Sequence, residues 1–275
     1  MLTIPLSPSD VEQYEAEGFL SPLPILSPDE VAYYRASEER LQQAIAATST
    51  PRLSAHLHLH FQWAYDLVTD PRILDIVEPI LGPNILVHSS TMFGKRPGDE
   101  QYVSWHQDGY YINLTEPAFV SAWVALSDSD VENGCLRVIP GSHRQGRLPH
   151  GETSKSEKNM LLTGQEVAIE IDEGKAVDLV LRPGEASLHH VDLLHGSNAN
   201  RSGRPRIGFA IRYVATHVKQ GLKHHPVLLA RGQDAYHHYT VQEARPGENL
   251  DLGIAEMQRQ AEWIRETRRA EGMPT

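Results

Sequence analysis

The chain carries a single cysteine, Cys135, so it forms no internal disulfide and offers no thiolate set for a zinc or iron–sulfur site. Basic residues are in the minority: 25 Lys and Arg stand against 36 Asp and Glu, a formal net charge of −11. That balance argues against nucleic acid as a partner, because nucleic acid is bound by a basic face. Long apolar runs are missing. None approaches the roughly 20 residues that cross a bilayer. The N-terminal stretch MLTIPLSPSDVEQYEAEGF lacks the basic start and apolar core of a secretion signal. The expectation is therefore a cytoplasmic protein with no membrane partner. Aromatic residues make up only 7% of the 275 positions. Histidine, by contrast, occurs 15 times. With so little cysteine, any metal chemistry must rest on imidazole and carboxylate.

Hydrophobic residues are 40% of the chain and charged residues 22%, enough to bury a globular core. Without repeats or a low-complexity linker, residues 1–275 read as one domain. The first eighty residues read as helical. Ser7-Pro8 and Ser27-Pro28 pair an N-cap with a proline at the first helical position, and Glu30 completes a capping box for a helix running to about Ala46. Residues 71–81 predict a short helix ending before Gly82-Pro83. After Gly82 short β-branched and aromatic runs alternate with Gly, Pro and Asn turns: 85–93, 118–126, 135–139, 176–181, 185–194 and 206–215. That texture predicts a mainly β protein, an antiparallel sandwich or barrel with outer helices. Residues 250–271 predict an amphipathic helix on its outside.

The chemistry-bearing stretch is Trp105-His106-Gln107-Asp108-Gly109. On a strand, His106 and Asp108 would share one face. With a distant histidine they would form a two-histidine, one-carboxylate facial triad, which leaves positions open on Fe(II). His-x-Asp is a weak signal by itself, and His190-Val191-Asp192 is a second instance. The surroundings add to it. His195 is followed by the turn-rich Gly196-Ser197-Asn198, and then by the strand-like run RIGFAIRYV. There Arg206, Gly208, Ala210 and Arg212 share one face, two cations separated by residues with almost no side chain. That face suits an anion, and the planar fork of arginine suits a carboxylate. Ile207, Phe209, Ile211 and Tyr213 form a core face.

WHQDGYY at 105–111, VSAWVALSD at 120–128, ENGCLRVIPGSH at 132–143 and LHHVDLLHGSNANRSGRPRIGFAIRY at 188–213 resemble the phytanoyl-CoA dioxygenase family of Fe(II)/2-oxoglutarate oxygenases, the group that includes ectoine hydroxylases. The resemblance implies a double-stranded β-helix, or jelly roll, with N- and C-terminal helices. It implies Fe(II) held by His106, Asp108 and His195. It maps the clamp on 2-oxoglutarate onto Arg206, with Ser197 as helper and Trp123 near the cosubstrate. O2 is the co-reactant, and the reaction it implies is hydroxylation of an unactivated C–H bond of a small molecule, with release of succinate and CO2. Asp108 stands where halogenating relatives have a small residue, which favours hydroxylation. A non-catalytic jelly-roll binding protein is the alternative, against which stands the presence of all three ligands and Arg206; a zinc hydrolase using the same histidines is a third reading, which would need neither Arg206 nor oxygen.

Other residues carry quieter expectations. His190 and Asp192 are assigned a supporting or structural place. His56, His58 and His60 are expected on a polar surface, and the pairs at 224–225 and 237–238 on the surface or in loops. Cys135 is expected as a small core residue. Tyr110, Tyr111 and Asn113 follow the metal motif and either line a substrate pocket or pack. Lys95, Arg137 and Arg212 are either a second anion site or solvated charges. Residues 143–164 are polar, glycine-bearing and cationic, and are expected to be either a surface connector or a lid over the barrel mouth.

Overall fold

The computed structural model describes residues 5–46, 55–112, 114–151, 158–161, 166–221 and 225–270. Helix α1 (Pro8–Glu17) starts at a Ser7 cap whose hydroxyl faces the Asp10 amide, and ends at Gly18 with φ of 81°. Strand β1 (Phe19–Pro24) leads to α2 (Pro28–Ala46). Its start is held by Glu30, which accepts from the Ser27 amide at 2.7 Å. Helices α3 (Gln62–Val68) and α4 (Pro71–Leu81) follow, the second capped by Asp70. The remainder is mostly strand: β2 (Ile85–Lys95), β3 (Val103–His106), the short helix α5 (Asp108–Ile112), β4 (Phe119–Ala125), β5 (Leu136–Val138), β6 (His150–Gly151), β7 (Glu166–Val167), β8 (Val177–Leu179), β9 (Glu185–His190), β10 (His195–Ser197), β11 (Arg206–Ala215), β12 (Pro226–Arg231) and β13 (Thr240–Val241). Helix α6 (Leu250–Ala270) is the last described element.

The major sheet runs β1-β9-β4-β11-β2-β12-β13 and the minor one β3-β10-β5-β8. All pairings are antiparallel except β12 with β13. The turn spacing predicts the antiparallel sandwich, and the resemblance its particular form, a jelly roll. The parity of β11 explains how it is filled. Phe209, Ile211 and Tyr213 are fully buried in a large cluster with Trp63, Ile73 and Val77 of the helical layer. The Tyr213 hydroxyl donates to the Val68 carbonyl at 2.8 Å, pinning α3 to the sheet. The opposite parity faces the barrel interior, where Trp123, Ala125, Leu181 and Ala210 form a separate small cluster.

Three expectations are corrected. His106 and Asp108 do not share a strand, since His106 ends β3 and Asp108 opens α5. His58 and His60 are buried rather than on a polar surface. The stretch lies along the edge of β2, where the His56 amide donates to the Ser90 carbonyl and His58 Nδ1 meets Ser90 Oγ at 2.8 Å. His225 is buried too, its ring stacked on His88 at 4.2 Å. His224 lies outside the described residues, while His237 is exposed as expected. Strands β1, β6, β12 and β13 lie outside the runs read as strand. β1 holds Pro22 and Pro24, which an edge position tolerates because that side of the ladder needs no donor.

Candidate metal and cosubstrate site

His195 in β10 and His106 in β3 are direct cross-strand partners. Each ring is fixed the same way. His106 Nδ1 lies 2.9 Å from the Ser104 carbonyl, and His195 Nδ1 lies 2.9 Å from the Leu193 carbonyl. A carbonyl only accepts, so both Nδ1 atoms donate to backbone and both Nε2 atoms are turned the other way. They face Asp108: its Oδ1 is 3.7 Å from His106 Nε2 and 4.0 Å from His195 Nε2. The three ligating atoms lie within 4.8 Å of one another, the one such set of three among the described residues. All three residues are buried.

The second carboxylate oxygen is occupied elsewhere. Asp108 Oδ2 accepts from Ser121 Oγ at 2.9 Å and from Arg212 Nε at 3.1 Å. Burial opposes the charge on Asp108, but Arg212 and the two imidazoles outweigh it and hold the carboxyl well below the usual range. Burial and the neighbouring His106 likewise keep His195 neutral. The set is thus two imidazoles presenting Nε2 and one carboxylate, which suits a divalent first-row ion such as Fe(II) and leaves coordination positions open.

Gln107, between the ligands, points away. Its side chain accepts from the Leu148 amide at 2.8 Å and donates to the Gly146 carbonyl at 3.0 Å. Tyr110 stacks on His150 at 4.0 Å. Residues 143–151 are thereby fastened beside the metal motif, and Asn159 of 158–161 donates to Ser104 Oγ at 2.9 Å; 152–157 and 162–165, like Asn113, lie outside the described residues. His190 and Asp192 are structural, as expected: His190 Nδ1 accepts from the Asp192 amide at 3.0 Å, and Asp192 pairs with Arg147. Cys135 is buried, which pushes its thiol up to about 11.

Farther into the barrel lies a cationic end. Arg206 faces inward, 2% exposed, its guanidinium 4.5 Å from the centroid of the Trp123 ring. Its buried Nε has no hydrogen-bond partner. Burial brings its pKa down to about 10. Lys95 of β2 is its cross-strand partner and is 1% exposed. Burial and the adjacent Arg206 bring Lys95 down to about 7. Its ammonium donates to Ser197 Oγ at 2.7 Å and to the Asn198 carbonyl. Neither cation pairs with a carboxylate among the described residues. The small residues of β11 turn out to make room for Trp123 rather than for an anion directly. The three candidate cations Lys95, Arg137 and Arg212 do not form one site. Lys95 joins Arg206, Arg212 holds Asp108, and Arg137 pairs with Glu173 and Asp178.

A jelly roll with such a triad at its centre, and a buried, unneutralised cationic end behind it, defines a non-haem metal oxygenase that takes a dicarboxylic cosubstrate. Residues 14–208 match the family described as phytanoyl-CoA dioxygenase. The chain is 28% identical over 275 aligned positions to ectoine dioxygenase of Bordetella parapertussis, spanning 90% of this chain and 87% of that one. It is 32% identical to the probable alpha-ketoglutarate-dependent hypophosphite dioxygenase of Stutzerimonas stutzeri, over 58% of this chain and only 55% of that protein. Among solved structures, the apo form of the non-heme monooxygenase ThoJ superposes with a TM-score of 0.81 at 30% identity, covering 95% of this chain and 96% of that one. The chain belongs to the phytanoyl-CoA dioxygenase family and is an Fe(II)- and 2-oxoglutarate-dependent dioxygenase. No described helix is long and apolar enough to cross a membrane.

Proposed function

We propose that residues 1–275 form one oxygenase domain that hydroxylates a C–H bond of a small-molecule metabolite in the cytoplasm. His106, Asp108 and His195 hold Fe(II), and Arg206, Lys95 and Ser197 take the far carboxylate of 2-oxoglutarate. When bound, the iron and its cosubstrate supply the oxidising chemistry: O2 is consumed, 2-oxoglutarate becomes succinate and CO2, and one oxygen atom goes to substrate. The protein's share is placement. His106 and His195 turn Nε2 toward the metal position because the Ser104 and Leu193 carbonyls take the other ring N–H groups. Arg212 and Ser121 turn Asp108 so that Oδ1 faces the same point. Trp123 supports the Arg206 guanidinium from below, so the fork is oriented before any anion arrives. The single observation that carries this reading is the pair of inward, buried cations, Arg206 and Lys95, that lack a carboxylate partner beside a complete triad.

The test is anaerobic reconstitution with Fe(II) and 2-oxoglutarate, followed by an aerobic metabolite screen scored by succinate release. A visible metal-to-ligand charge-transfer band and substrate-stimulated succinate are expected. Arg206→Ala should raise the 2-oxoglutarate requirement ten- to a hundredfold, from losing about 1.5–3 kcal/mol of charge-assisted bonding, with little change for Fe(II). An unaltered 2-oxoglutarate dependence in that variant would remove Arg206 from the cosubstrate site.

A further inference from the structure

One buried polar side chain beside the metal site has no part in the arrangement above. His189 lies on β9, directly opposite Ser121 of β4, the residue whose hydroxyl holds Asp108. It shares the inward parity of β9 with Ser187, which stands opposite Trp123. Its ring centroid is 4.7 Å from that of His195, and the residue is 4% exposed. Its Nδ1 is buried without a hydrogen-bond partner, and neither ring nitrogen bonds to any described residue. The Ser187 hydroxyl, fully buried, is likewise unpartnered. Buried polar groups are nearly always paired in a folded protein. Two unpaired groups on successive inward positions of one strand therefore mark a wall built against something polar.

The geometry of that wall identifies the occupant. Positions two apart on a strand are about 6.6 Å apart, close to the length of a five-carbon dicarboxylate. Ser187 stands at the level of Trp123, which carries Arg206, and His189 stands at the level of Asp108 and its Ser121 support. The inner face of β9 thus runs from the cationic end to the metal end of the barrel.

We infer that His189 is a positioning residue for the cosubstrate, donating one ring N–H to the metal-chelating end of 2-oxoglutarate, the 1-carboxylate or 2-oxo oxygen. This rests on the cosubstrate assignment above and extends it to a strand that carries neither a metal ligand nor the arginine clamp. A neutral imidazole suits the place. It offers a donor without adding a second cation beside Arg212, and its ring packs against that of His195. Holding that end would fix how the cosubstrate lies against His106, Asp108 and His195, the residues that would hold the iron.

Full-length wild type, His189→Phe and His189→Asn, each loaded anaerobically with Fe(II), test the inference by 2-oxoglutarate titration of the charge-transfer band. The Phe variant should bind 2-oxoglutarate about tenfold more weakly, the loss of one hydrogen bond. Its band maximum should move, because a hydrogen bond to the chelating oxygens alters the acceptor orbital, and its Fe(II) affinity should stay within about twofold of wild type, since no ligand is lost. The Asn variant should recover part of the affinity and of the band position. A purely structural role would move neither band nor cosubstrate affinity separately from Fe(II). Wild-type affinity and band position in His189→Phe overturn the inference, as does parallel loss of Fe(II). A second measurement does not depend on any variant folding. In zinc-loaded wild-type protein labelled with 15N-histidine, 2-oxoglutarate should protect one further imidazole N–H from solvent exchange. Absence of a newly protected N–H there also overturns it. Failure of wild type to bind 2-oxoglutarate at all is a different result, and takes down the cosubstrate assignment itself.

Discussion

The indole of Trp123 fills the space that any side chain on residue 208 would need: a Cβ placed on Gly208 falls 1.9 Å from the Trp123 ring. The glycine is there because the ring crosses over it, and the ring is there to carry Arg206. Gly208→Ala should therefore displace Trp123 and with it the guanidinium. Overpacking of this kind costs about 1–3 kcal/mol, so the variant is expected to fold with a lower Tm, bind Fe(II) normally, and require at least tenfold more 2-oxoglutarate. Calorimetric titration of both ligands decides it; normal 2-oxoglutarate binding would mean Arg206 does not depend on the Trp123 platform.

His106→Ala and His195→Ala should each abolish the anaerobic charge-transfer band and succinate formation. Each removes an Nε2 donor that backbone carbonyls have already oriented. Full turnover in either variant would remove that residue from the metal site.

Arg212→Met addresses the carboxylate. Arg212 is what outweighs burial at Asp108 and holds its carboxyl down. Without it the proton competes with the metal at higher pH. Fe(II) or Co(II) affinity should fall about 10- to 100-fold at neutral pH, and fall further on acidification to pH 5.5 than it does in wild type. Titrations at pH 7.5 and 5.5 check both, and identical pH profiles would show that Arg212 plays no part in keeping Asp108 ionised.

A stability prediction follows from the buried histidines at the edge of β2. Burial, and then His60 and His225 nearby, bring His58 down from 6.5 to about 3. The unfolded chain therefore takes up a proton at His58 below pH 6.5 that the folded chain refuses. Stability should be unaffected by this group above that value and fall as the pH drops from 6.5 toward 3, by about 2 kcal/mol at pH 5. His56 and His88 are lowered in the same direction. His58→Asn should flatten the decline of Tm between pH 7 and 5. Parallel curves for variant and wild type would place the acid sensitivity elsewhere.

What the amino-acid order disclosed, and what it hid, follows the range of the forces involved. The start of α2 was legible because Ser27, Pro28 and Glu30 settle it among themselves. The inner and outer faces of β11 were legible because strand parity is strict. The triad was legible from motifs in the expected order, although the reason offered for His106 and Asp108 facing together was wrong: a strand end and a helix start bring them together, not one strand face. The burial of His58 and His225 was hidden, since it is imposed by β2, far from either in the chain. His189 was hidden for a related reason. In Leu188-His189-His190 nothing local says which histidine turns inward. That is fixed only by the pairing of β9 with β4, where His189 meets Ser121.

The direct pairing of His106 with His195 has a practical consequence. The separation of the two imidazole rings is inherited from a backbone ladder, not from any connecting segment. Asp108 alone depends on the turn between β3 and α5. Segments outside that ladder can therefore be rewritten, as in a library directed at 143–151 and the connector 233–238, without changing the spacing of the two imidazoles. In such a library loss of activity reports on substrate fit, and the iron content of each clone tells that apart from loss of the centre itself.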